Sequence, residues 1–163
     1  MQHSRKLSVL IACFLLVVVC QAQAKLSGRV ETYPNKVGAQ KASLVFTLFV
    51  PVYVPGGSLI VINVPENTSI VSQSEVPCHL KSIIDVSTLC KNSGPGELSF
   101  ELPNSVPIPE FSNIRIRFTG AFNAPLSTKT TDSFKIKITD STWKFITEDD
   151  GALYLTDLMP NDI

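Results

Sequence analysis

Residues 113–118 read Asn-Ile-Arg-Ile-Arg-Phe, and this alternation of polar and apolar side chains decides the fold class. A period of two places successive side chains on opposite faces of an extended chain, so one face is buried and the other meets water. Residues 97–102 (Glu-Leu-Ser-Phe-Glu-Leu) and 133–138 (Ser-Phe-Lys-Ile-Lys-Ile) repeat the pattern. Each of these stretches predicts a half-buried β-strand.

Two further runs are apolar on both faces and suit central strands. Residues 44–50 read Leu-Val-Phe-Thr-Leu-Phe-Val and residues 59–64 read Leu-Ile-Val-Ile-Asn-Val, with a Gly56-Gly57 turn between them. No window has the capped 3.6-residue period of a helix. Weaker strands are expected at residues 27–33, 70–72, 142–146 and 152–155. The chain is therefore predicted to be all-β, a single antiparallel immunoglobulin-like β-sandwich of about 7–9 strands.

The exposed side chains of these strands differ in charge. Strand 97–102 is acidic on its polar face, whereas strands 113–118 and 133–138 are basic. If the acidic strand pairs with either basic strand, each opposite-charge pair contributes about 0.2–1 kcal/mol to the sheet. The charges have two interpretations: a solvated face that fixes strand pairing, or a basic face that binds an acidic partner or glycan.

The overall charge and composition limit the class of protein. The chain has 163 residues with 14 basic and 14 acidic side chains, and 44% of its residues are hydrophobic. This length fits one domain, and the hydrophobic content excludes a disordered chain. A chain with no excess of basic residues is a poor candidate for nucleic-acid binding, which depends on neutralising phosphates.

The N-terminus has the three parts of a secretory signal peptide. A short basic segment ending at Arg5-Lys6 precedes the apolar run 7–20, and Ala22-Gln23-Ala24 follows as a small-x-small cleavage site. The apolar run is shorter than the roughly 20 residues that span a bilayer. A lipoprotein acylated at Cys20 would need a small residue in place of Val19. We therefore expect cleavage of residues 1–24, secretion of a single domain at 25–163, and no membrane span in the mature chain.

Cleavage changes the count of cysteines. Cys13 and Cys20 leave with the signal peptide, so Cys78 and Cys90 remain in an oxidising compartment. Two such cysteines are predicted to form one disulfide, which closes a local loop region and does not join two sheets. Zinc needs about four ligands, which these cysteines and His79 do not supply.

The search for an active site is negative. The mature chain has a single histidine, His79, beside Cys78, and it lacks a Gly-x-Ser-x-Gly elbow or a glycine-rich phosphate loop before a helix. Its carboxylates show no pattern that selects a catalytic pair; those considered are Glu31, Glu66, Glu75 and Glu110. The chain is predicted not to be an enzyme and to need no cofactor.

An acidic turn near the C-terminus has two interpretations. Glu148, Asp149 and Asp150 precede Gly151, and Asp-Gly is typical of a tight hairpin turn. The same three carboxylates are weak candidates for a calcium site, because hard cations bind clustered oxygens in loops. No metal site is assigned on this pattern alone.

Two single residues also leave alternatives open. Asn67-Thr68-Ser69 is an N-glycosylation sequence in an expected turn, so in a eukaryotic secreted protein Asn67 would carry a surface glycan. Trp143 is either a core or sheet-covering residue, or an exposed contact residue.

Several segments together resemble the β-sandwich modules repeated along large secreted and cell-surface proteins of ciliates and other protists. The resemblance covers most of residues 37–139. It lies in Val37-Gly38, the strand 43–50, the segment Pro-Gly-Gly-Ser-Leu-Ile-Val-Ile-Asn-Val-Pro at 55–65, Phe-Asn-Ala-Pro-Leu-Ser-Thr at 122–128, and 131–139. It implies an extracellular, non-enzymatic role in an assembly or surface coat, and it implies no catalytic residues.

The leading functional hypothesis is a secreted structural or adhesive subunit of an extracellular filament, coat or surface assembly, with other protein subunits as partners. Segments 25–36 and 140–163 are candidates for these contacts. If 25–36 donates a strand to a neighbour, its deletion should leave a folded monomer; the alternative is a strand paired within its own domain. The second hypothesis is a secreted ligand- or glycan-binding module that uses calcium or the basic strand face.

Overall fold

The computed structural model describes residues 24–94, 96–156 and 158–160, so the predicted signal peptide, except Ala24, lies outside the described residues. Across this part of the chain the structure is all-β, and no helix there is long and apolar enough to cross a membrane. The strands are β1 (Ser27–Tyr33), β2 (Ala42–Val50), β3 (Leu59–Asn63), β4 (Ser69–Ile70), β5 (Glu75–Lys81), β6 (Asp85–Gly94), β7 (Glu97–Glu101), β8 (Ser112–Asn123), β9 (Lys135–Thr139) and β10 (Phe145–Glu148).

The strands form one antiparallel sheet in the order β1-β2-β8-β5-β6-β7-β3-β9-β10. The short strand β4 pairs with the C-terminal end of β8. The sheet curls into a half-barrel, so β1-β2-β8-β5 (the first half) faces β6-β7-β3-β9-β10 (the second half). This architecture confirms the predicted all-β, antiparallel, sandwich-like fold. It has ten strands where seven to nine were expected, and the two halves are continuous through the β5–β6 pairing.

Aromatic side chains fill the space between the two halves. Phe46 of β2 packs edge-on against Phe118 of β8 at 6.3 Å and against Phe134 at 5.5 Å, measured between ring centroids. Phe122 of β8 lies 6.1 Å from Phe134. Because Phe134 immediately precedes β9, these contacts join the first half of the sheet to the second. The alternation that predicted the strands places these rings inside, where burial of apolar area stabilises the fold.

The β5–β6 hairpin is the main element that the sequence pattern did not predict. Cys78 of β5 and Cys90 of β6 form the predicted disulfide, with their Cα atoms 5.8 Å apart. The disulfide links two paired strands, where a loop region was expected. Because β5 and β6 belong to different halves, it joins the halves along their shared seam and does not cross the core. Pro77 lies beyond the part of β5 that pairs with β8, where a missing N–H is tolerated.

The N-terminal segment completes the fold of its own chain. β1 pairs with β2 over seven residues, and Leu26 just before it is fully buried. Leu26 also forms a parallel bridge with Asp149, through hydrogen bonds to the Glu148 carbonyl (2.9 Å) and from the Asp150 amide (3.1 Å). The interpretation of segment 25–36 as a strand paired within its own domain is therefore confirmed for the described residues.

One sequence-based expectation about strand pairing is wrong, and the condition for another is not met. Residues 149–151 do not turn between paired strands; the Asp149 amide bonds to Ile136 and Leu153 bridges Phe134, so this segment continues along β9. The acidic strand β7 pairs with β3 and β6, and β3 separates it from the basic strand β9. The acidic strand therefore pairs with neither basic strand, and the opposite-charge pairs that depended on such pairing do not form between the described strands.

Candidate functional site

Trp143 stands on the surface, in the turn that joins β9 to β10. Its side chain is 73% exposed, so its interpretation as a core or sheet-covering residue is wrong. Its backbone is in the left-handed region with φ 65°, which is unfavourable for any residue with a Cβ. An exposed tryptophan on a strained backbone is a combination found at functional sites, because neither feature contributes to the stability of the fold.

Asp140 holds this turn in place. One carboxylate oxygen, Oδ1, accepts hydrogen bonds from the Thr142 hydroxyl (2.7 Å), the Thr142 amide (2.8 Å) and the Lys144 amide (3.0 Å). The Asp140 carbonyl accepts a further bond from the Trp143 amide at 3.0 Å. The bond from the Thr142 side chain is the largest cause that lowers the pKa of Asp140, and the two backbone bonds add to it. The carboxylate therefore orders the backbone of the turn that carries Trp143.

Beside this turn lies a groove of about 340 Å³ on the outer face of the second half of the sheet, which we call the Trp143 groove. Its floor is the outward side of β3 and β7, with Leu59, Val61 and Ser99. Leu89 and Lys91 of β6 border it on one side, and the turn from Asp140 to Trp143 borders it on the other. The groove therefore combines an apolar floor with a polar rim, the usual composition of a binding surface.

The groove carries an excess of negative charge. Glu97 and Glu101 project from β7 and Asp140 projects from the turn, whereas Lys91 is the one cation in its lining. Neither glutamate takes part in an ion pair with any described residue. Their charge is therefore available to a cationic ligand.

The outer face of the first half is basic. Arg115 and Arg117 project from β8, and Lys81 of β5 lies directly opposite Arg115 in the ladder. The Arg117 guanidinium lies 6.0 Å from the centre of the Tyr33 ring, and none of the three cations forms an ion pair with a described residue. We call Lys81, Arg115 and Arg117 the basic face. Like charges placed opposite each other, such as Lys81 and Arg115, destabilise a sheet. Asp85 of β6 lies opposite Lys81 on its other side, so Arg115 is the cation of this pair that most favours an anionic partner.

The acidic residues proposed for calcium are not brought together. The Asp149 carboxylate accepts hydrogen bonds from the Ile136 amide (2.5 Å) and the Gly151 amide (2.6 Å), and Glu148 pairs with Lys25 at 3.4 Å. The Asp150 carboxylate bonds to the Ala152 amide. Among the described residues no group of three or more His, Cys, Asp or Glu side chains could hold a metal ion. The Asp149 side chain instead supports the local backbone.

Asn67 lies in an exposed turn, as the sequence predicted. The turn is closed by Thr68, whose amide (3.0 Å) and hydroxyl (2.7 Å) both bond to the Pro65 carbonyl. A gap of about 560 Å³ separates this turn from the β6–β7 turn. The position is accessible to a glycosylating enzyme, while glycosylation itself stays a prediction.

His79 lies outside the Trp143 groove. It projects from β5 on the outer face of the first half and pairs with Asp85 of β6. The sequence identified Trp143 as an open question and Glu97 and Glu101 as exposed, but it did not bring them together. That juxtaposition depends on β3 lying between β7 and β9, and no local pattern predicts it.

Comparison with known proteins finds no matching family model, no matching curated protein and no matching solved structure. The functional argument therefore rests on the fold and on the two charged surfaces.

Proposed function

We propose that this chain is a secreted, non-enzymatic β-sandwich subunit of an extracellular filament, coat or surface assembly, and that it acts through protein–protein contacts. The observation that carries the proposal is the Trp143 groove. Tryptophan is enriched in the contact regions that dominate protein interfaces. Here its turn is ordered by Asp140 without any compensating burial of the indole.

Several other features support this proposal. The predicted signal peptide and the Cys78–Cys90 disulfide suit an oxidising extracellular compartment. The groove lining contains neither histidine nor cysteine, the side chains most often used for proton transfer and nucleophilic attack near neutral pH. Binding is therefore the activity that the groove serves best.

The size of the native protein in its extracellular setting tests this function. Native wild-type protein is expected to sediment as a complex much larger than one chain, and Trp143→Ala is expected to sediment as the free monomer. Tyr53→Ala is the matched control, because Tyr53 is an exposed aromatic residue outside the groove. Native wild-type protein that sediments as a monomer would contradict the proposal.

A glycan-binding module is the second candidate, and one observation favours it. An exposed indole beside carboxylates and Ser99 could stack on a sugar ring while the polar groups bond to its hydroxyls. In that case the native protein is monomeric, and it is retained on immobilised glycans in a manner lost in Trp143→Ala. Absence of retention on every glycan surveyed would exclude this candidate.

A further inference from the structure

We propose that the Trp143 groove binds the basic face of a second copy of this chain, so that copies join head to tail. This inference rests on the proposed assembly function and specifies the partner. The inference follows from two surfaces of one chain, the Trp143 groove and the basic face. They are complementary in charge, and the glutamates of the first and the cations of the second form no ion pairs with described residues of the same chain.

The first argument is electrostatic. The groove presents Glu97 and Glu101 without internal ion pairs, and the basic face presents Arg115 and Lys81 in the same condition. Lys81 and Arg115 are directly opposite each other in the ladder, so each raises the positive potential that the other experiences. Contact with a carboxylate-lined groove relieves both unfavourable arrangements at once.

The second argument concerns Trp143. An arginine guanidinium is planar and stacks on an indole face while it donates hydrogen bonds to carboxylates. Arg117 already lies over Tyr33 of its own chain, whereas Arg115 has no aromatic or ionic partner among the described residues. Arg115 of the second copy is therefore the side chain that we assign to the space between Trp143 and the β7 glutamates.

The positions of the two surfaces determine the type of assembly. They lie on the outer faces of the opposite halves of the sheet, so one copy can bind two neighbours simultaneously. A contact between two different surfaces is heterologous, and it continues into an open chain unless its rotation closes a ring. Removal of Arg5 and Lys6 with the signal peptide leaves a formal net charge of only −2, so repulsion between copies is weak.

Charge reversal of each surface tests the contact in the purified chain, comprising residues 25–163 with its disulfide intact. Sedimentation velocity at low salt should show concentration-dependent chains for the wild type, which dissociate as salt screens the contact. Glu97→Lys/Glu101→Lys and Arg115→Glu/Arg117→Glu should each weaken self-association by about tenfold or more. Glu66→Lys/Glu110→Lys is the matched control for the glutamate variant, because it makes the same change in net charge outside both surfaces.

Mixing the two reversed variants gives the decisive result. Each variant keeps one intact surface and reverses the other, so neither should associate with itself. The mixture should form chains in which the two variants alternate, because intact surfaces meet intact ones and reversed surfaces meet reversed ones. The variant that carries all four substitutions should again form chains. Equal melting temperatures for all variants would show that the substitutions act on association and not on folding.

The inference is overturned if the purified wild type stays monomeric at low salt, or if the mixed variants stay monomeric. This outcome can be told apart from failure of the proposed function, in which the native protein itself would be a monomer. A purified chain that is monomeric while the native protein is part of a large complex would indicate a different subunit as the partner.

Discussion

Trp143 combines a left-handed backbone with an exposed side chain, and the proposed function depends on it. A left-handed backbone costs a non-glycine residue roughly 1–2 kcal/mol, and its 73% exposed side chain recovers little of this cost through burial. Asp140 compensates locally with three hydrogen bonds to the following residues. The strained backbone conformation therefore occurs at a residue whose aromatic side chain does not contribute to the packing of the fold.

A comparison of two substitutions at this position measures the strain. Trp143→Gly should have a free energy of unfolding about 1 kcal/mol higher than Trp143→Ala, because glycine adopts a positive φ freely. Both variants should lose association through the groove. Urea denaturation followed by circular dichroism gives the difference, and equal stabilities would show that the turn is unstrained.

Phe111 provides the control for that comparison. It also has a positive φ, 56°, and is exposed, but it lies outside the Trp143 groove and the basic face. Phe111→Gly should likewise be more stable than Phe111→Ala, without loss of association. If the Phe111 variants also lose association, the loss of association in the Trp143 variants cannot be attributed to the groove.

The β5–β6 hairpin shows how one element depends on a covalent link. β6 has Cys90 as its one fully buried side chain, so apolar packing holds this strand weakly. The disulfide joins positions that are 12 residues apart, which in the chain-entropy model stabilises a protein by about 3 kcal/mol. The disulfide therefore supplies stability that the other strands obtain from the burial of apolar side chains.

Replacement of both cysteines by alanine tests this role. Cys78→Ala/Cys90→Ala should lower the free energy of unfolding by about 2–4 kcal/mol, mainly because the unfolded chain is no longer constrained. Dithiothreitol should destabilise the wild type by a similar amount and leave the double variant unchanged. Urea denaturation with and without reductant gives both values, and a wild type that is indifferent to complete reduction would contradict this account.

This hairpin is also the element that sequence patterns predict least well. Strands β7, β8 and β9 alternate between apolar and polar residues along most of their length, because their alternating apolar side chains are buried. β6 shows almost no such alternation, because most of its side chains face water on both sides. A strand without a buried face has no period of two, so pairing with its neighbours determines its conformation.

At the scale of the molecule, the N-terminal segment closes the curled sheet. Leu26 is fully buried and joins the start of β1 to Asp149 at the end of β10, so the first and last strands of the order meet there. Thr147 and Glu148 add side-chain bonds to Ala24 and Lys25. The closure protects the edges of both strands at this end of the molecule.

Removal of this closing contact should destabilise the whole fold. Leu26→Ala should lower the free energy of unfolding by about 2–5 kcal/mol, because it leaves a cavity in the core. Arg29→Ala on the exposed face of the same segment should change it by less than about 0.5 kcal/mol. Hydrogen exchange should show that the amides of β10 exchange faster in Leu26→Ala than in the wild type. If exchange becomes faster only in β1, the N-terminal segment does not close the sheet.

Which strands become neighbours is the property that local patterns predict least. The alternation of 97–102 and 133–138 correctly predicts two strands, but their opposite charges left open whether they pair directly. In the structure β3 lies between them, because its apolar residues on both faces suit a central position. The charges that do not pair within the sheet remain exposed on its outer faces.

The local pattern of residues was sufficient for the class of fold, the inward-facing residues of the alternating strands and the Cys78–Cys90 pair. These properties follow from the period of two and from chemistry that each short segment carries. The strand order, the closure through Leu26 and the meeting of Trp143 with the β7 glutamates arose from long-range packing. Such contacts depend on which distant segments bury the most apolar area together, and a pattern in one segment holds no information about its partner.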